Sequence, residues 1–267
     1  MAEKEISVRT RDGEMTVFVA HPDSPRPFPV AVLYMDGVGY REQIKENTRR
    51  FANGGFYVVA PDLYYRIGEK VSFDMSNMAA GLADAERERL MAAASSVRSE
   101  GTVADTRAIF DAIASDPAAA PGPKVAVGYC MGARLSLGAA AAMADDFVAA
   151  AGIHPGALVT DSADSPHHDV SKVRGELYFA FAENDRTATS ENIDELRHEL
   201  KRHGVRGEVE RLPGTTHGFA MADLPVYNRA AAERHFERTL DLWRRTTKQS
   251  LNRLGGQRAG APPDSKP

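Results

Sequence analysis

The single cysteine of the chain, Cys130, stands in Gly128-Tyr129-Cys130-Met131-Gly132, between a strand-length apolar run (124–130) and an alanine-rich, helix-forming stretch. A lone cysteine is ordinarily a small buried hydrophobe. Glycines two places to either side suggest another use. A sharp strand-to-helix bend leaves no room for side chains at those positions and strains the central residue, which is the nucleophile elbow with sulfur in place of oxygen. Such a bend aims the sulfur over the carboxyl edge of a sheet and presents the Met131 N–H to an oxyanion. It also sets the positive end of a helix beside a thiolate.

An elbow nucleophile needs a base, and the base needs an orienting acid, in the chain order nucleophile, acid, histidine. Asp185, in Glu183-Asn184-Asp185-Arg186-Thr187, follows the apolar run 175–182, where a loop would carry it to the carboxyl edge. His217, in Thr215-Thr216-His217-Gly218-Phe219, follows the last strand-like run. Taken singly, Asp185 reads as a turn or helix-start residue, and His217 as a solvated loop histidine. Together, in the required order and at the ends of three strand-like runs, they read with Cys130 as a triad for acyl transfer. His217 would take the thiol proton and later activate the water that hydrolyses a thioester. The oxyanion needs two donors: Met131 N–H, and a second in the loop after the run 30–36, for which Gly37 is the candidate.

The elements that must position these residues alternate. Segments 5–10 and 15–22 flank an Asp-Gly turn and read as an N-terminal hairpin. Runs 30–36, 57–63, 124–130, 147–155 and 175–182 are continuously apolar, as strands buried on both faces are. The more polar run 207–214 suits an outer strand. Helical spacing fills 41–53, 102–115, 189–203 and 226–245. This is an α/β pattern: a mostly parallel sheet of about eight strands with helices on both faces. One domain is expected over 1–245, with 64–101 as a methionine- and charge-rich covering excursion and 246–267 as a disordered tail.

Composition narrows the function classes. With 267 residues, 43% hydrophobic, 26% charged and a formal net charge of −4, the chain is an ordinary globular one without a basic face for nucleic acid. One cysteine excludes an internal disulfide framework and suggests a reducing compartment. The charged first fifteen residues lack a signal-peptide core, and no apolar stretch is long enough to span a bilayer, so a cytoplasmic protein without membrane partners is expected. No dinucleotide or phosphate loop occurs, and no cofactor is expected. His167-His168, with Asp164 and Asp169, has no helical or strand spacing and reads as a polar loop, so no metal is expected. Oligomeric state is not legible.

With these pieces in view, the chain resembles the dienelactone hydrolase (carboxymethylenebutenolidase) family of the α/β-hydrolase fold. The resemblance rests on VGYCMG, APDLYYR, AENDRTAT and GTTHGFA, with MDGVG in place of the family's acidic loop, and runs from about residue 5 to 245. It implies a cysteine hydrolase with Cys130, Asp185 and His217 as triad, and an acidic residue in the early loop that deprotonates the thiol. That loop carries Asp36 here, one methylene shorter than the family's glutamate. The family also holds its substrate's carboxylate with arginines. One of those positions is Met221 in this chain, and Arg87 and Arg89 lie in the region of another. Tyr64, His154 and Phe219 are further candidates for contact with substrate, and Asp62 is expected to brace the loop after its strand.

The expected protein is therefore a cofactor-free hydrolase of a small ester or lactone, less charged than dienelactone. Two rivals remain at this level: a catalytically weak small-molecule-binding protein on the same scaffold, and a thiol sensor, which would have to work without a resolving cysteine.

Overall fold

A computed structural model of the chain describes residues 1–68, 71, 73, 75 and 83–259. Eight strands form one sheet: β1 (Ala2–Thr10), β2 (Gly13–His21), β3 (Val30–Tyr34), β4 (Tyr57–Pro61), β5 (Lys124–Tyr129), β6 (Phe147–Ile153), β7 (Glu176–Asn184) and β8 (Gly207–Thr216). Their order is β1-β2-β4-β3-β5-β6-β7-β8. β1 and β2 form the antiparallel hairpin, turning between Thr10 and Gly13, and β2 joins β4 antiparallel. All other neighbours run parallel. The apolar runs occupy the middle of this sheet because β3 and β4 are buried along their whole length. The polar run forms β8 at the edge, where most of its residues keep contact with water.

Six α-helices are described: α1 (Glu42–Asn53), α2 (Asp84–Ser96), α3 (Ser99–Ile113), α4 (Met131–Ala142), α5 (Ser190–Arg202) and α6 (Arg229–Ala259). Successive strand residues point to opposite faces, and β5 shows what lies on each. A Cβ on Gly128 would run into Gly132 of α4, while Tyr129 packs edge-on against His235 of α6. α6 shares its layer with α1, through Phe51 packed with tilted rings against both Phe236 and Trp243, centroids 4.8 Å apart in each pair. α3 packs on α4 in the other layer. Among the described residues, no helix is long and apolar enough to cross a membrane.

Two expectations change. α6 continues to Ala259, past residue 246 where composition suggests a disordered tail. Thr246 and Thr247 are buried and return their hydroxyls to the carbonyls of Leu242 and Trp243, at 2.8 and 2.7 Å. Their core contact is invisible to composition. The His167-His168 segment is not a polar loop but a 3-10 helix, Pro166–Lys172, with His167 buried. The covering excursion at 64–101 lies partly outside the described residues; within them it contributes α2.

Candidate active site

At the end of β5 the chain turns through Cys130, held at φ 52° and ψ −113° before α4 begins. A non-glycine residue at positive φ is strained by about 1–3 kcal/mol and persists only where its surroundings over-determine it. Here they do. Cys130 donates its N–H to Ile153 O at 3.0 Å, and its carbonyl accepts from Ala133 and Gly156. The flanking glycines are demanded by backbone contact. A Cβ on Gly128 would lie 1.8 Å from Gly132 O, and one on Gly132 would lie 2.4 Å from Tyr34 O.

Two loops bring partners to the sulfur. His217, one residue past β8, places Nε2 3.0 Å from Cys130 Sγ and Nδ1 2.6 Å from Asp185 Oδ2. Asp185 follows β7, and its Oδ1 accepts from both the N–H and the hydroxyl of Thr187, at 2.8 and 2.7 Å. These bonds leave the carboxylate little freedom to rotate. Burial opposes its charge, but His217 and Thr187 hold its pKa below the ordinary carboxyl value. For His217 burial again opposes charge. The Cys130 sulfur and the Asp185 carboxylate outweigh it and raise the imidazole pKa well above the ordinary value. Both neighbours therefore favour the protonated ring over the neutral one. Gly156 belongs to the same corner: a Cβ there would come within 3.4 Å of Cys130 Sγ and 3.6 Å of His217 Cε1.

The loop after β3 supplies the opposite wall. Val38 donates its N–H to Asp36 Oδ1, and Gly39 donates to Asp36 O. Tyr64 donates its hydroxyl to Gly37 O at 2.7 Å and so fixes this loop from behind. Asp36 departs from the expectation of a thiol-activating acid. Both of its oxygens accept from Arg41, at 2.6 and 3.0 Å, and Arg41 is clamped from its other side by Asp223. Arg41 stands at the start of α1, close enough to capture an acid with this short side chain, so Asp36 holds the loop's shape.

Over the sulfur lies a cavity of about 360 Å³. Val38, Met75, Leu90, Met91, Ala94 and Leu224 make most of its wall apolar, and Met131, His154 and Thr187 also border it. α2 forms the cover through Leu90, Met91 and Ala94. Arg134 also lines the cavity and is missing from the sequence reading, although its i+4 spacing from Cys130 puts it on the same side of α4. Its Nη2 donates to Ala94 O and Val97 O at 3.0 and 3.2 Å, gripping the carboxyl end of α2. Its Nε is buried without a hydrogen-bond partner among the described residues.

Several expected substrate contacts are not in this wall. Arg87 and Arg89 stand on the solvent side of α2, paired with Asp84 and Glu86 one turn away. The apolar residues of α2 face the cavity, so its charges must face out. Tyr64 is buried behind the loop, and Phe219 is fully buried against His154 and His235. Met221 is buried too, and its Sδ accepts from Asn47 Nδ2 at 3.6 Å. His154 does border the cavity, edge-on to His217 with ring centroids 5.2 Å apart. Burial pushes its pKa well below the ordinary value, so it adds no charge beside His217. Asp62 Oδ1 accepts from Tyr64 N, bracing the loop after β4.

The fold has counterparts in known proteins. The family model described as the dienelactone hydrolase family matches residues 15–247. A protein of Salmonella typhi, named by inference as a carboxymethylenebutenolidase, is 25% identical over 244 residues, covering 88% of this chain and 84% of that one. A similarly named protein of Synechocystis is 21% identical over 241 residues, covering 89% and 94%. Among solved structures, a Klebsiella pneumoniae protein, named by inference as a dienelactone hydrolase, superposes with a TM-score of 0.77 at 20% identity, covering 90% and 97% of the two chains. A dienelactone hydrolase-like promiscuous phosphotriesterase from metagenomic libraries gives 0.70 at 20% identity, covering 92% and 99%. At such identities the structural likeness speaks for the fold alone.

Proposed function

The chain belongs to the dienelactone hydrolase family, and from that premise we propose that it hydrolyses a small, weakly charged ester or lactone through a thioester on Cys130. The observation that carries this reading is the unbroken line of contacts at the cavity floor, from Cys130 Sγ to His217 Nε2 at 3.0 Å and from His217 Nδ1 to Asp185 Oδ2 at 2.6 Å. Held between the sulfur and the Asp185 carboxylate, His217 can take the thiol proton and release the sulfur as the nucleophile.

Sulfur attack on the carbonyl carbon forms the S–C bond and moves an electron pair onto the carbonyl oxygen. Two N–H groups are the candidates to hold that oxygen. Met131 is the first residue of α4, and its N–H has no partner within the helix. In the β3 loop the N–H groups of Val38 and Gly39 are already given to Asp36, which leaves Gly37 as donor. Collapse of the intermediate breaks the C–O bond, and the departing alkoxide takes the Nε2 proton of His217. A water then gives a proton to Nε2 and adds to the thioester, and the sulfur leaves with its electron pair to restore the starting pair. Asp185 keeps the imidazole oriented and charge-compensated throughout. The apolar wall of α2 and the engagement of Asp36 with Arg41 favour a substrate carrying little charge.

Turnover of short p-nitrophenyl esters and simple lactones tests this reading. Activity should appear on such a panel and disappear in both Cys130→Ala and His217→Ala. A folded protein without turnover on any member would instead favour a binding role for the cavity.

A further inference from the structure

The His167-His168 pair has no place in the chemistry above, yet the fold gives it company. Where the 3-10 helix Pro166–Lys172 packs on α5, one ligand atom each of His167, His168 and Glu199 lies within 4.8 Å of the others. His167 and Glu199 are buried, at 4% and 2% exposure, and His168 is open to solvent. A fourth donor follows one helical turn after Glu199: His203 Nε2 is 3.0 Å from Glu199 Oε2. Arg202 occupies the other carboxylate oxygen, Oε1. Ser165 Oγ lies 2.6 Å from His167 Nδ1 and accepts from Thr160 N–H, so the ring of His167 is held through Nδ1 and Nε2 is the nitrogen that would ligate.

We propose that His167, His168 and Glu199, with His203 as fourth donor, bind a divalent cation of the zinc type. Three imidazoles and one carboxylate are a donor set that suits zinc and its neighbours. In a tetrahedral site with metal–nitrogen bonds of about 2.0–2.1 Å, neighbouring donors stand about 3.3 Å apart. The Glu199–His203 spacing is already close to that. His203 stands outside the group whose ligand atoms lie within 4.8 Å of one another, so the wider spacing closes by movement of His168 and His203, the two exposed rings. A carboxylate as buried as Glu199 is stabilised by a second cation opposite Arg202. The site would tie together two segments that also serve the cavity: the stretch from His154 to the 3-10 helix, and the run from Asp185 into α5. Its role is to fasten these segments, away from the reacting atoms.

The experiment uses the full chain carrying Cys130→Ala, because a thiolate beside His217 would itself take zinc. Zinc affinity is read by competition with a chromophoric chelator, and thermal unfolding is followed in parallel. One equivalent of zinc should bind, and free zinc at a hundredfold its Kd should raise Tm by about 5–10 °C. His168→Ala and His203→Ala, both surface changes, should each weaken binding at least tenfold and remove most of the Tm rise. His198→Ala, an exposed histidine on α5 outside the cluster, should leave both unchanged. Absence of stoichiometric binding, or equal affinity in all three variants, would overturn the proposal.

Discussion

Tyr64 donates its hydroxyl to the carbonyl of Gly37 at 2.7 Å, from a position buried behind the loop that faces Cys130. The bond links the segment after β4 to the loop after β3, and it sets the orientation of peptides beside the nucleophile. Loss of a direct oxyanion donor costs about 10²–10³ in rate. An indirect loss should cost less, and Tyr64→Phe is expected to lower kcat about tenfold with KM nearly unchanged. Steady-state kinetics on a p-nitrophenyl ester, with Tm as control for the loss of about 1 kcal/mol of hydrogen bonding, checks this. An equal loss confined to KM would speak against it.

The bend at Cys130 depends on a backbone contact that leaves no room for one methyl. Gly128→Ala places a Cβ 1.8 Å from Gly132 O, whereas Gly138→Ala meets the Ser99 side chain at ordinary contact distance, Cβ at 3.5 Å and Oγ at 3.6 Å. The first change should destabilise by more than about 3 kcal/mol or abolish folding, and the second should be nearly neutral, since overpacking scales with the shift it forces. Urea unfolding of the two variants measures the contrast. Comparable midpoints would contradict the close approach.

Acid stability should follow the buried histidines. His235 is wholly buried, and burial brings its pKa to about 3 from 6.5. It therefore binds fewer protons folded than unfolded. Stability from this residue is complete above pH 6.5 and drains as pH falls toward 3, at up to about 1.4 kcal/mol per pH unit. His154 acts in the same direction. Asp185, with a lowered pKa, adds stability above the ordinary value of 3.8 that is lost as pH falls through its folded value. His217 has the opposite sign. Its raised pKa stabilises fully below 6.5, and that contribution is lost as pH rises through the folded value. His235→Phe should thus flatten the fall in urea midpoint between pH 6.5 and 3, and an unchanged slope would refute the assignment.

Arg134 joins the nucleophile's helix to the end of α2 through Ala94 O and Val97 O. Arg134→Met keeps much of the side chain's bulk but removes both bonds. The cover should loosen, raising KM several-fold while kcat stays within about threefold, because no reacting atom is touched. Faster amide hydrogen exchange over 84–97 is the structural readout. Unaltered exchange there would show that the grip is not what holds α2 down.

Much of this architecture was readable from residue order, for a physical reason. Strands buried on both faces need unbroken apolar runs, and 30–36, 57–63 and 124–130 lie where β3, β4 and β5 form. The glycines around Cys130 were readable because backbone contact tolerates nothing larger. Orientation was harder. Arg87 and Arg89 were candidates by position along the chain, but the apolar side of α2 turns to the cavity and sends them outward. The capture of Asp36 by Arg41 depends on where α1 begins, and the burial of Thr246 on how far α6 follows the sheet. None of these leaves a local pattern. Arg134 did leave one, four residues beyond the sulfur, and it becomes meaningful only when α2 is seen to end beside it.

The most direct measurement is peptide mapping by mass spectrometry after acid quench during turnover of p-nitrophenyl acetate. The account predicts an acetyl group on the peptide containing Cys130, which builds within the first turnover and disappears when substrate is exhausted. Acetylation of another residue, or full turnover by a Cys130→Ala protein, would contradict it.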